Sequence, residues 1–396
     1  MAGALLQDRT RLSASPVSRL DRPAKPDKIT GEAMVVLGAK KMGASRALEI
    51  EVNGSVDNEP GGQAAAGPVD DGETVLAALD LGTNNCRLLV ALPHGDSFRV
   101  VDAFSRIVRL GEGMDATSAL SAAAMDRTIE ALKICAGKMR RRRVTHARSV
   151  ATEACRRADN CMDFIARARR ETGIDIEIIS NHEEASLAFS GCAPLLAAEP
   201  AQALVFDIGG GSTEIGCLQV SATAQPRLTA WHSIPLGVVT LAERHGAGHI
   251  SPAVYEAMVV ETQDQLVAFE AAEGLGPAIA AGEVQMLGTS GTVTTLSGVH
   301  LDLPRYDRAR VDGSYLDFAT IDRVSADLAS MGWDERAAIP CIGRERADLV
   351  VAGCAILAAI CRLWPVGRLR VADRGVREGI LFGLLAVAAA SRAASL

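Results

Sequence analysis

With 396 residues, 48% of them apolar and 22% charged, the chain has the composition of a soluble globular protein large enough for two domains with cores of their own. A formal net charge of −7 argues against a general nucleic-acid binder, which draws its affinity from excess lysine and arginine. Nine scattered cysteines, an odd number without a Cys-x-x-Cys, argue against a disulfide scaffold or structural zinc site and fit a reducing cytoplasm.

Residues 1–72 combine Pro16, Pro23, Pro26, a Gly61-Gly62 pair, an alanine run and Pro68, which break any periodicity and predict a disordered extension. Gln7, Asp8, Arg9 and Arg11 interrupt the apolar start, so no signal peptide is expected. Beyond residue 73, strand-length apolar runs cover 75–79, 86–92 and 98–107. A helix follows over 121–142, with Met125, Ile129, Leu132 and Met139 at helical spacing and Ser121 as its cap. Strand 147–152, helix 163–172, strand 174–179 and helix 183–190 complete the first unit.

The order then restarts. Strands 203–206, 213–219 and 228–235 precede helices near 238–244 and 254–270, and a strand over 284–287 ends in Gly288-Thr289-Ser290-Gly291-Thr292. Helices over 347–364 and 375–385 bracket the strand 368–371. The apolar run 349–360 is too short to cross a bilayer, so no membrane association is expected. A β-β-β-α-β-α unit used twice predicts an α/β protein of two domains with a cleft between them: 73–200 and 201–390, the last helix packing back on the first.

Both units open on the same kind of turn. Leu79-Asp80-Leu81-Gly82-Thr83-Asn84-Asn85 and Phe206-Asp207-Ile208-Gly209-Gly210-Gly211-Ser212 each place a carboxylate at a strand end and glycine with hydroxyl or amide groups beyond it. Backbone N–H groups in such a turn can meet phosphate oxygens, and the carboxylate can hold a divalent cation. In the second turn three glycines permit positive φ and close backbone approach. A reversal there brings Asp207 back near Glu214, and two carboxylates at one mouth repel unless a cation lies between them.

Other segments are more ambiguous. Gly288-Thr289-Ser290-Gly291-Thr292 is either a plain loop or a third phosphate contact. Glu183 and Glu184 open a helix after Ser180; acids there suit the helix dipole, and the same position could orient water at a phosphate. Arg156 and Arg157 follow a strand end, where arginine fits phosphate bidentately or is simply solvated. Arg140, Arg141, Arg142 and Arg143 either complement a helix C-terminus or form one wall of a polyanion groove. His182 and the other histidines lack metal-ligand spacing.

Taken together, Asp80 with its turn, Ala151-Thr152-Glu153-Ala154-Cys155-Arg156, Ile178-Ile179-Ser180 with Glu183-Glu184-Ala185, Asp207 through Glu214, and Ala372-Asp373-Arg374-Gly375-Val376-Arg377-Glu378-Gly379 resemble the Ppx/GppA phosphatase family. Its members are exopolyphosphatases and guanosine pentaphosphate phosphohydrolases. The resemblance implies duplicated ribonuclease-H-like domains of the actin, Hsp70 and sugar-kinase superfamily. It makes Glu184 the water-activating carboxylate, with Glu183 its alternative, and Asp80, Asp207 and Glu214 the Mg²⁺-associated acids. It makes Gly82, Thr83, Asn84, Gly209, Gly210, Gly211, Ser212 and Thr213 the phosphate cradle and Arg156 a phosphate contact.

The implied reaction is hydrolysis of the terminal phosphoryl group of inorganic polyphosphate or guanosine pentaphosphate, with water as acceptor. The implied assembly is a homodimer. Ser186 stands where the family often has arginine, and longer members continue into an HD-type domain, so shorter polyphosphate or a nucleotide is the favoured substrate. A sugar kinase or ATPase would share the Asp-Gly turns but needs an adenosine pocket, and a kinase also a base for the sugar hydroxyl. A non-catalytic sensor of polyphosphate or alarmone would bind without metal-dependent phosphate release.

Overall fold

The computed structural model describes residues 74–221, 226–246 and 250–394. The expected extension over 1–72 lies outside them. Strands β1 (Leu76–Leu81), β2 (Asn85–His94), β3 (Ser97–Ile107), β4 (His146–Ala151) and β5 (Glu177–Ile178) form one sheet in the order β3-β2-β1-β4-β5. A second sheet holds β6 (Gln202–Ile208), β7 (Thr213–Gln219), β8 (Arg227–Ile234), β9 (Val284–Thr289), β10 (Tyr315–Asp317) and β11 (Arg368–Ala372). Its order, β8-β7-β6-β9-β11, repeats the first, and β10 adds an antiparallel edge. In both sheets the opening strand pairs antiparallel with the second strand and parallel with the fourth. The α/β duplication expected of a ribonuclease-H-like pair is therefore present in the strand order itself.

Alternation along each opening strand divides the core into three. Ala77, Leu79 and Leu81 of β1 join Ile129 and Leu132 of the helix Ala122–Arg141. Leu204, Phe206 and Ile208 of β6 join Val259 and Ile356 on helices of the second half. The intervening residues, Leu76 and Ala78 on β1 and Ala203 and Val205 on β6, face one shared central core. Period-two side-chain direction thus places each sheet between two apolar layers.

Two helices fill the central layer. Asn181–Cys192 packs on β6, β7 and β8, and Val376–Ala394 packs on β1 through β4. They meet through glycine: a Cβ on Gly379 would run into the Leu187 carbonyl, and one on Gly191 into the Gly375 carbonyl. Each helix begins at the cleft between the sheets.

Several elements differ from expectation. The strand expected over 174–179 pairs only at Glu177–Ile178, because it lies at an edge and meets β4 only at Val150 and Ala151. The Gly288-Thr289-Ser290-Gly291-Thr292 segment opens a buried helix, Gly291–His300, and Phe318–Ser330 forms a further helix with one buried face. Ser121 caps its helix as expected, accepting from the Ala124 N–H at 3.2 Å. All nine cysteines are free and buried. Among the described residues no helix is long and apolar enough to cross a membrane.

Candidate active site

The two Asp-Gly turns close identically. Gly82 N–H donates to the Asn85 carbonyl and Gly209 N–H to the Ser212 carbonyl, each at 2.9 Å. They also face one another across the cleft. A Cβ on Gly210 would lie 3.1 Å from Thr83 Cβ and 3.2 Å from the Asn84 nitrogen, and one on Gly211 would lie 2.7 Å from Thr83 Oγ1. Close approach is therefore what requires glycine here. The positive φ allowed for in the sequence is not used, since Gly82, Gly209, Gly210 and Gly211 all avoid the left-handed region.

The carbonyls of Gly209 and Gly210 accept from the Val238 and Val239 N–H groups, at 3.0 and 2.8 Å. On the other side, a loop holds the first turn: Val108 and Arg109 donate to the Asn84 carbonyl and Gly111 to that of Thr83. The same loop reaches the second half through Arg109 to Asp348 (2.9 Å) and the Gly113 N–H to Glu243 (2.9 Å).

Asp207 pairs in register with Glu214, as the hairpin reading expects. Asp80 has Arg87 in the matching place. Burial pushes Asp207 up to about 6 against the pull of Arg87, with the charge of Asp80 adding to the rise. Burial likewise raises Asp80, which Arg87 and Arg377 draw down. Glu214 is raised well above its ordinary value by burial and by the charges of Glu184 and Asp207, although Ser233 donates to its Oε1 at 2.9 Å.

Glu184, in the first turn of the helix Asn181–Cys192, is pushed up to about 7. Burial dominates, Arg156 opposes it, and Asp80 and Asp207 add to it. Four acids from both halves thus sense one another in a site that disfavours their joint ionisation.

Among the described residues no three acids, histidines or cysteines converge into a ready-made metal cage. A small hard cation held by one or two carboxylates, with phosphate oxygens and water completing its shell, still suits the donors present. The Oδ1 atoms of Asn84 and Asn85 are buried without a hydrogen-bond partner and offer further oxygen donors on the first turn.

The neighbouring glutamates separate clearly. Glu184 Oε2 accepts from Arg156 Nη2 at 2.7 Å, and its side chain is 14% exposed. Glu183 is 41% exposed and pairs with Arg148 at 2.6 Å, outside the acid group. Ser180 caps the helix by accepting from the Glu183 N–H. Arg156 is held by Glu153 and by the Ile179 carbonyl as well as by Glu184.

Thr213 is fully buried and donates its hydroxyl to the Leu236 carbonyl at 2.8 Å, so it pins the hairpin from inside. Thr289, in register with Asp207, donates its hydroxyl to the Arg374 carbonyl. Gly375 also borders the site, for a Cβ there would lie 3.9 Å from Asp207 Oδ2.

The arginine block lies elsewhere. Arg142 and Lys138 pair with Asp102 on β3, and the block precedes the start of β4, which lies about 13 Å of strand from the level of Asp80. It is not a wall of this cleft. Arg87, Arg377 and Glu153 were not among the expected site residues. Arg87 was findable, since it follows Asp80 by the seven positions that separate Glu214 from Asp207. Arg377 sits far along the chain and reaches Asp80 only through the packing of the last long helix.

The sequence matches the Ppx/GppA phosphatase family over residues 89–388. It is 32% identical over 329 residues to exopolyphosphatase 2 of Mycobacterium tuberculosis, covering 78% of this chain and 98% of that protein. Among solved structures, an exopolyphosphatase from Cytophaga hutchinsonii is similar at a TM-score of 0.71 and 25% identity, over 79% of this chain and 98% of that one. A Ppx/GppA family protein of Aquifex aeolicus gives a TM-score of 0.65 at 25% identity, over 79% and 97%.

Proposed function

The chain belongs to the Ppx/GppA phosphatase family, and from that premise we propose that it removes terminal phosphoryl groups from inorganic polyphosphate by hydrolysis. The observation that carries this reading is the placement of Glu184. It lies buried against an arginine and within the field of Asp80 and Asp207, the acids at the two facing turns. We take residues 73–200 and 201–390 as the two ribonuclease-H-like domains, the helix Val376–Ala394 serving the first. The free thiols suit a reducing cytoplasm.

The terminal phosphates lie along the turns, where the N–H groups of Thr83, Asn84, Gly210, Gly211 and Ser212 are offered to them, while those of Gly82 and Gly209 are spent closing the turns. Arg87, Arg156 and Arg377 supply positive charge around the acids. Asp207 and Glu214, with Asp80 and the asparagine oxygens, would hold Mg²⁺, which when bound offsets charge on the phosphate oxygens. Glu184 Oε1, the oxygen that Arg156 does not hold, accepts a proton from the attacking water. The new O–P bond forms in line with the anhydride bond that breaks, and the shortened polyphosphate leaves with the bonding electron pair. Burial keeps Glu184 basic enough for that proton near neutral pH.

Guanosine pentaphosphate offers the same terminal anhydride and is the second reading within this chemistry. Phosphate release is measured with Mg²⁺ from polyphosphates of graded length and from guanosine pentaphosphate, beside Glu184→Gln. Equal release by that variant, or none from either substrate by the wild type, sinks the proposal.

A further inference from the structure

Glu153 takes no part in the proposed transfer, yet its side chain is only 9% exposed and lies directly against the cleft. It opens the short helical turn Glu153–Arg157 at the end of β4. Its Oε2 accepts twice from one guanidinium, from Arg156 Nε at 3.1 Å and Nη2 at 2.8 Å. Nη2 also donates to Glu184 Oε2 at 2.7 Å, and Nη1 to the Ile179 carbonyl at 2.9 Å. Every nitrogen of the guanidinium is therefore engaged, and Nη2 lies between two carboxylates. On its other side Glu153 meets the facing turn, since a Cβ on Gly211 would lie 3.1 Å from Glu153 Cγ.

An arginine so engaged must release a partner before it can grip a phosphate bidentately. The Ile179 carbonyl is fixed backbone. Between the two carboxylates, Glu184 is the one that an arriving phosphate confronts, and its Oε1, which Arg156 does not hold, is left to take the proton from water. We propose that Glu153 is a positioning residue that keeps Arg156 in place while the arginine exchanges Glu184 for a substrate phosphate. This rests on the hydrolase reading for the identity of the anion. Without Glu153 the guanidinium follows Glu184, and base and cation stay paired while the phosphate goes unheld.

The test is a double-mutant cycle read in two ways: kcat and KM with Mg²⁺ and polyphosphate, and the Kd of tripolyphosphate by calorimetry in chelator. Misplacing one contact group should cost on the order of 10–100-fold, which is the expected fall in kcat/KM for Glu153→Ala. Glu153→Gln keeps an acceptor of the same length and should recover to within about 5-fold, which also guards against a simple folding defect. On an Arg156→Ala background, Glu153→Ala should change neither kcat/KM nor Kd by more than about 2-fold, because coupled residues do not add. Full additivity in the cycle, or wild-type behaviour of Glu153→Ala, overturns the proposal. A wild type that binds tripolyphosphate but releases no phosphate overturns the hydrolase reading alone, and the Kd cycle still decides the role of Glu153. Failure of the wild type to bind tripolyphosphate overturns both.

Discussion

Asp207 and Glu214 stand directly opposite one another on β6 and β7, two acids at the mouth of a single hairpin. The first hairpin has Asp80 opposite Arg87 and so compensates its own charge. On the proposed reading, this asymmetry between otherwise repeated turns favours a cation at the second one. Asp207→Asn should raise the Mg²⁺ concentration for half-maximal phosphate release by about 10-fold or more, the cost of losing one charged ligand. Chelation should stop release while circular dichroism stays unchanged. Release that survives in chelator counts against a cation role for the pair.

Glu184 and Glu183 are adjacent in sequence and differ in surroundings. Glu184→Gln should lose about 10²–10⁴-fold in kcat, the usual contribution of a positioned base. Glu183→Gln should stay within about 3-fold of wild type, because it loses only a half-exposed pair with Arg148. Reversal of these two outcomes would move the base by one residue.

The pH dependence follows from Glu184, which must be ionised to accept a proton. With its value pushed up to about 7, kcat/KM should fall as pH drops through that region. Arg156 draws Glu184 down, so Arg156→Gln should move the acid limb to higher pH as well as lowering activity. A limb that stays in place, or moves down, contradicts the assigned contact.

Stability should carry the same signature. Glu184 and Asp207 are both raised above their unfolded values, so the folded chain binds more protons than the unfolded one between about pH 4 and 7. Their contribution is intact below that window and is lost as pH rises through it. In chelator at pH 8, Glu184→Gln and Asp207→Asn should therefore melt higher than wild type, by roughly 2–4 °C. The gain should shrink at pH 5. Lower melting temperatures at pH 8 would refute the burial argument.

Two glycines on one helix should respond oppositely to alanine. At Gly379 a Cβ meets the Leu187 carbonyl, so Gly379→Ala should cost about 1–3 kcal/mol in urea unfolding. It should also lower kcat, because the crossing sets the first turns that carry Glu184 and Arg377. At Gly383 a Cβ meets nothing within 4 Å, and Gly383→Ala should stabilise by up to about 1 kcal/mol through helix propensity. Equal effects at both positions would mean that the crossing is not tightly packed.

Much of the architecture was legible because period-two apolar strands stop at Asp80 and Asp207 in the same way. The turns could be read from sequence; their face-to-face contact could not, since it joins Thr83 to Gly210 and Gly211 across 127 and 128 positions. The helix Gly291–His300 was hidden by Thr292, Val293, Thr294 and Thr295, residues of low helix propensity that are buried here, so tertiary packing overrides local preference. The separation of Glu184 from Glu183 needed the partners Arg156 and Arg148, which lie on different elements.

The helix Val376–Ala394 covers β1 through β4, strands that precede it by about 225 to 300 residues. During synthesis the first sheet must therefore wait, with the face that this helix covers still bare, until residues 376–394 have left the ribosome. The half translated first is the half completed last, and its exposed apolar strands are where a chaperone would be expected to bind the nascent chain.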